Sequence, residues 1–207
     1  MRPLQMPYMF EDRTGHVAAS DYDDIYDRMF LRVVPHPRSP TRNDNVLAIY
    51  SMGRRSTRHG DTRHLERQPS VILEFAEGAA GGLGNINFFY PPAPSVTMPM
   101  SKYLRKTAFF GGSLSRKFRA SDGREYRWEH KSADGHEWSC ISEENYLVAH
   151  YDLRQPHMPA YGVSGNTLTV HESFCHLSIG RLLLSLTLPS DILASLLIMR
   201  YIAEHNL

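Results

Sequence analysis

"GREYRWEHKSADGHEWSCIS", residues 123–142, holds both tryptophans of the chain and alternates large apolar with charged residues. Asp122-Gly123 and Asp134-Gly135 are turn signals, because Asp-Gly supplies the positive φ that tight hairpin turns need. Between the turns, Tyr126, Trp128 and His130 fall on one face of an extended strand, and Arg127 and Glu129 on the other. After the second turn Trp138 and Cys140 share a face. Glu143-Glu144-Asn145 makes a third turn, and YLVAHYD (146–152) reads as another strand. The stretch is a three-strand antiparallel meander with an aromatic inner face, and both tryptophans belong to its core.

Similar short runs extend outward. Ile25–Val34 contains a strand-like alternation with Leu31 and Val33 on one face and Phe30 on the other. It stops at Pro35 and Pro37, since closely spaced prolines prevent regular pairing. VLAIYSM (46–52), VILEFA (71–76) and NINFFY (85–90) are the next strands, followed by SVTMPMSKYL, KTAFFGG, SRKFRA and, after the meander, TLTVH (167–171). Runs recurring roughly every ten residues predict a β-sandwich or barrel. Residues 1–15 read as a polar, flexible lead-in, and 16–207 as a single domain.

From Arg181 the character changes to RLLLSLTLPSDILASLLIMRYIAEHNL. Ser190 is a candidate N-cap for a helix over about 190–205. Ile192, Leu193, Leu196, Leu197, Ile198, Met199 and Ile202 point in nearly every direction around it, and a helix apolar all round must be buried in a core or a bilayer. The run 182–203 approaches the roughly 20 residues of a bilayer span, so a tail-anchored membrane protein is the competing reading. Pro189 and Asp191 interrupt that run, and a central Asp costs about 2.5–3.5 kcal/mol on insertion. A core helix also gives the strands something to pack on. The expected fold is therefore mainly β, a closed antiparallel barrel around a buried C-terminal helix.

Composition excludes several functions. With 42% hydrophobic residues, the chain has the material for a core. With 23 basic against 22 acidic residues and a net charge of +1, the balance gives no reason to expect nucleic-acid binding, which usually shows a basic domain or stripe. Two cysteines cannot build a disulfide framework, the first residues lack the apolar segment of a signal peptide, and no N-x-S/T acceptor occurs. These features predict an intracellular, cytoplasmic protein, peripheral to a membrane at most.

No catalytic or metal motif survives inspection. "HESFCH" (171–176) resembles the zinc-protease pattern, but its histidines lie at i and i+5, about 140° apart on a helix rather than one turn apart. "GAAGGLG" (78–84) has neither phosphate-loop spacing and runs into a strand, so it is a flexible hairpin connection. No G-x-S-x-G elbow or Cys–His signature is present, Cys140 should face the core, and the pairs Asp23-Asp24 and Glu143-Glu144 read as solvated turns. Neither a catalytic residue, a cofactor nor a metal is expected, although an enzyme site formed in a surface pocket of the barrel would be invisible to motifs. The best polar candidate is the run Arg54, Arg55, Arg58, Arg63 and Arg67, offset in part by Asp61 and Glu66. Its density could bind a phosphoinositide or another acidic ligand. The alternative is a solvated loop.

"FRASDGREYRWEH", "EWSCIS", "YLVAHYD", "LTVHESFCHLSI" and "ASLLIMRYIAEHNL" resemble an uncharacterised domain family expanded in mushroom-forming fungi. The Gly-x-x-Tyr-x-Trp pattern of Gly123, Tyr126 and Trp128 carries the resemblance, which covers residues 118–207 best. It implies the tubby-like fold, also that of LURP-one-related proteins and phospholipid scramblases, in which a closed antiparallel barrel surrounds one hydrophobic helix. Here Gly180–Leu188 adds a second apolar run before that helix. The resemblance brings no catalytic residues and implies a non-enzymatic binding domain for a lipid headgroup, small ligand or protein partner.

Overall fold

The structure, a computed structural model, describes residues 6–36, 45–52, 68–76, 82–107, 113–153, 164–171 and 187–207. The first half supplies β1 (Tyr8–Asp12), β2 (Ser20–Asp24), β3 (Phe30–Pro35), β4 (Val46–Met52), β5 (Val71–Glu74), β6 (Asn85–Phe88) and β7 (Val96–Pro99). A short helix α1 (Met100–Tyr103) leads to β8 (Arg105–Lys106), β9 (Arg116–Arg119), β10 (Glu125–His130), β11 (Trp138–Ser142), β12 (Leu147–Asp152), β13 (Asn166–Val170) and the terminal helix α2 (Leu188–His205).

All thirteen strands join one antiparallel sheet, ordered β7-β6-β5-β4-β3-β2-β1-β13-β12-β11-β10-β9-β8. The expected closed barrel is corrected on this point: β7 and β8 are the two ends of the sheet, linked by α1 but not paired with each other. The meander is as the sequence predicts, with Trp128 opposite Cys140 and His130 opposite Trp138. Its turns place Gly123, Gly135 and Asn145 at positive φ. Farther upstream, Gly84 has φ +94° and lies so close to the Glu74 carbonyl that any Cβ would collide with it.

The inner face of the sheet packs on α2. Phe10, Leu31, Leu73, Trp128, Tyr151 and Leu168 share one buried cluster with Leu193, Leu197 and Ile198. Trp128 Nε1 donates to Ser195 Oγ at 2.8 Å, and Phe75 stacks on Tyr201 with centroids 4.1 Å apart, so strands from both halves of the sheet grip the helix. Among the described residues, no helix is long and apolar enough to cross a membrane. The faces of α2 that a tail anchor would give to lipid are covered by protein. The helix begins earlier than expected, with Thr187 at the N-cap and Pro189 in its first turn, so Ser190 is not the cap. Proline suits the first turn because its missing N–H has no partner to lose there.

The N-terminal segment differs more. The lead-in reading does not extend over Tyr8–Asp12, which form β1 in the middle of the sheet, between β2 and β13. Asp23 and Asp24 lie in β2 and are buried rather than solvated, with Arg13 Nε 3.5 Å from Asp23 and Arg28 Nε 2.7 Å from Asp24. Asp12, fully buried, accepts from Ser20 Oγ at 2.5 Å, Tyr151 OH at 2.8 Å, the Gly15 amide at 2.9 Å and Tyr22 OH at 3.2 Å. Arg200 of α2 lies 3.4 Å from the same carboxylate. A buried carboxylate needs such donors, because desolvation without them costs several kcal/mol, roughly. On the outer face of β3 and β4, Phe30, Ala48, Tyr50 and Met52 form a second, smaller apolar cluster.

Candidate functional site

The two unpaired ends of the sheet leave a cleft of about 440 Å³ between β6–β7, α1, β9 and the first turn of α2. Phe88, Val96 and Met98 supply apolar walls, and Lys102, Arg105 and Arg119 border it. Arg105 is already engaged by Glu125 at 2.6 Å, and the Arg119 Nε–H donates to the Gly123 carbonyl. Lys102 forms no ion pair among the described residues, which leaves it the most available cation at the cleft.

Asp191 forms the polar floor. Its carboxylate accepts from Tyr90 OH at 2.5 Å, Ser121 Oγ at 2.6 Å and the Ser121 amide at 2.8 Å. Ser121 Oγ also lies 2.7 Å from Thr187 Oγ1. The position in the first turn of α2 favours a negative charge there. Burial nevertheless pushes the Asp191 carboxyl up to about 6, against the hydrogen bonds from Ser121 and Tyr90 that lower it. Burial, and then the Asp191 charge, hold the Tyr90 phenol well above its ordinary value. Tyr103, another lining residue, has a buried hydroxyl with no hydrogen-bond partner among the described residues. A buried polar atom left this way costs about 1–3 kcal/mol, which a ligand's polar group could recover.

The Ser121 hydroxyl donates to Asp191, whose carboxylate also accepts from Tyr90 and the Ser121 amide, and no histidine lines the cleft among the described residues. Cys140 is buried and its thiol is pushed well up by burial, as an inert core cysteine should be.

The shifted carboxyl has a measurable consequence. A folded-state pKa above the ordinary one means that Asp191's contribution is fully present below about pH 4 and is lost as pH rises through about 6. That loss is about 3 kcal/mol for a rise of about two pH units in pKa. His150 runs the other way: burial, then His136 and His171, lower it to about 4, so its contribution is present near neutrality and lost as pH falls through that value. The wild-type profile therefore mixes opposed slopes, and only a difference isolates Asp191. Urea unfolding between pH 4 and 7 is expected to show Asp191→Asn gaining about 2–3 kcal/mol relative to wild type as pH rises. A pH-independent difference would contradict the assignment.

The arginines singled out by sequence, Arg54, Arg55, Arg58, Arg63 and Arg67, lie outside the described residues, as do Cys175 and His176. Sequence reasoning missed the cleft. The one signal that could have found it was Asp191, a carboxylate set inside an apolar run, read there as an interruption of a bilayer span rather than as part of a wall.

Fold and cleft together define a class: a β-rich domain in which an open antiparallel sheet encloses an apolar helix and leaves a ligand-sized seam where its ends approach. The chain belongs to a family of unknown function, DUF6593, whose model matches residues 36–202. No curated protein and no solved structure matches it.

Proposed function

We propose that the protein is a non-enzymatic binding domain whose cleft takes a small acidic amphiphile of the kind a membrane supplies. The observation that carries this reading is the pairing of apolar walls at Phe88, Val96 and Met98 with the cationic border of Lys102, Arg105 and Arg119. A mostly apolar concavity with a few placed polar groups is the common form of a small-molecule site. The acyl part would lie on the apolar walls, and the acidic group would face Lys102 and Arg119. The apolar helix enclosed by a long antiparallel sheet is the part of the tubby-like reading that supports this proposal, the sheet itself being open between β7 and β8. The arginine segment 54–67 would add attraction for an anionic surface, at about 1 kcal/mol per basic side chain near the leaflet.

Co-sedimentation with vesicles, phosphatidylcholine alone or with added phosphatidylserine or phosphoinositide, at low and high salt, tests the proposal. Wild type is expected to bind the anionic vesicles in a salt-sensitive way. Lys102→Gln/Arg119→Gln should weaken binding through the cleft, and Arg54→Gln/Arg55→Gln/Arg58→Gln through the surface. Met98→Glu, which sets a carboxylate in the apolar wall, should lose binding of a fluorescent long-chain carboxylate. Equal binding by wild type and both cleft variants, or none by any protein, sinks the reading.

A further inference from the structure

On the outer face of the sheet, away from the cleft, four potential metal ligands converge from three segments. His136 stands at the end of the β10–β11 hairpin, His150 and Asp152 alternate on β12, and His171 directly follows β13. The strand registers bring them together: Ser139 lies opposite His150, His150 opposite Thr169, and the His171 amide donates to the Val148 carbonyl at 2.9 Å. The rings of His136 and His150 stack with centroids 4.2 Å apart, and that of His171 lies 5.8 Å from His150. His150 Nε2 is 3.5 Å from Asp152 Oδ2. One ligand atom each from His136, His150 and Asp152 lies within 4.8 Å of the others.

Two details make this more than a crowded surface. His150 Nδ1 and His171 Nε2 are buried and have no hydrogen-bond partner among the described residues. Buried ring nitrogens are nearly always satisfied, and two orphaned in one cluster call for an explanation. A neutral imidazole offers a lone pair, which a metal can take.

We propose that His136, His150 and Asp152, with His171 as a fourth donor, form a binding site for a zinc-type divalent transition metal. Imidazole and carboxylate are the donors that suit zinc, and a closed four-ligand set is the structural rather than the catalytic type. Metal–ligand bonds of about 2.0–2.2 Å put tetrahedral donors about 3.3 Å apart, so the side chains must close by roughly 1.5 Å, the His136 ring turning out of its stack on His150. His136 sits half-buried on a hairpin end, and the rotation would give up the 3.1 Å hydrogen bond between its Nδ1 and Ser139 Oγ. The site would tie the hairpin and β12 to the end of β13. It does not depend on the cleft, and either proposal can fail alone.

The test is zinc binding by the full chain, stripped with a chelator and dialysed, followed by isothermal titration with zinc chloride and by metal analysis after gel filtration. One zinc per chain is expected, together with a rise in the melting temperature. His136→Ala and Asp152→Asn, each confirmed to unfold cooperatively, are expected to bind at least tenfold more weakly. Cobalt substitution should give a visible absorption band of tetrahedral intensity in wild type and not in His136→Ala. Absence of zinc binding by wild type overturns the proposal, and so does wild-type affinity in either variant, which would place the metal on other residues.

Discussion

Leu197→Asp is expected to abolish cooperative folding. Leu197 is fully buried in the middle of α2, in the cluster shared by both halves of the sheet. Removing a buried leucine side chain costs about 2–5 kcal/mol through lost burial and the cavity left behind. An ionised carboxylate in its place adds a desolvation cost of several kcal/mol, roughly, and the surrounding side chains are apolar. The sum is comparable with the whole stability of a typical domain, about 5–15 kcal/mol. Circular dichroism and urea titration of the variant should show no sigmoidal transition. Glu204→Gln, at an exposed position of the same helix, should stay within about 0.5 kcal/mol of wild type. A soluble Leu197→Asp protein that unfolds cooperatively would mean that α2 does not fill the sheet.

The second large effect is expected at Asp12. Its carboxylate gathers Ser20, Tyr22, Tyr151, the Gly15 amide and Arg200 around one buried point. Asp12→Ala leaves two buried phenols and a largely buried guanidinium without their acceptor. Breaking such a pair from one side costs about 3–5 kcal/mol, because the partner's charge stays buried and uncompensated. Asp12→Asn preserves shape and can still accept, so it should cost less, about 1–3 kcal/mol. Arg200 keeps a bond to the Gly15 carbonyl at 2.7 Å, which limits the damage in both variants. Denaturant midpoints for the three proteins check the order wild type, Asn, Ala. Equal stability of Ala and wild type would show that Asp12 contributes nothing net.

These two residues mark the limits of what the sequence makes legible. Leu197 belongs to a helix whose buried character is plain from local composition, and Trp128 to a hairpin whose turns are marked by Asp-Gly. VLAIYSM becomes β4 with the expected bounds for the same reason: its side chains and turn residues suffice. Asp12, Asp23 and Asp24 carry no such local signal. Acidic runs such as SDYDD look solvated until the partners are known, and Arg200 lies 188 residues from Asp12. Barrel closure was also beyond reach, since whether β7 and β8 pair depends on the geometry of the ends and not on their alternation. The cleft and the histidine cluster fail for a related reason. Spacing rules compare residues along one segment: they set His171 against His176, while among the described residues the histidines clustered with it are His136 and His150.

The strand order has a consequence for how such a chain comes together. Around the sheet, neighbours in space are neighbours in sequence at every pairing except β1 with β13. The domain is thus two meanders, β1–β7 and β8–β13, each assembled by adjacent strands, with the loop-closure entropy of distant pairing concentrated in a single junction. Arg200 meets Asp12 of β1 beside that junction, and Tyr151 of β12 binds the same carboxylate. The terminal helix therefore serves as the latch between two otherwise local halves, and the buried charge on β1 is the keyhole into which it fits.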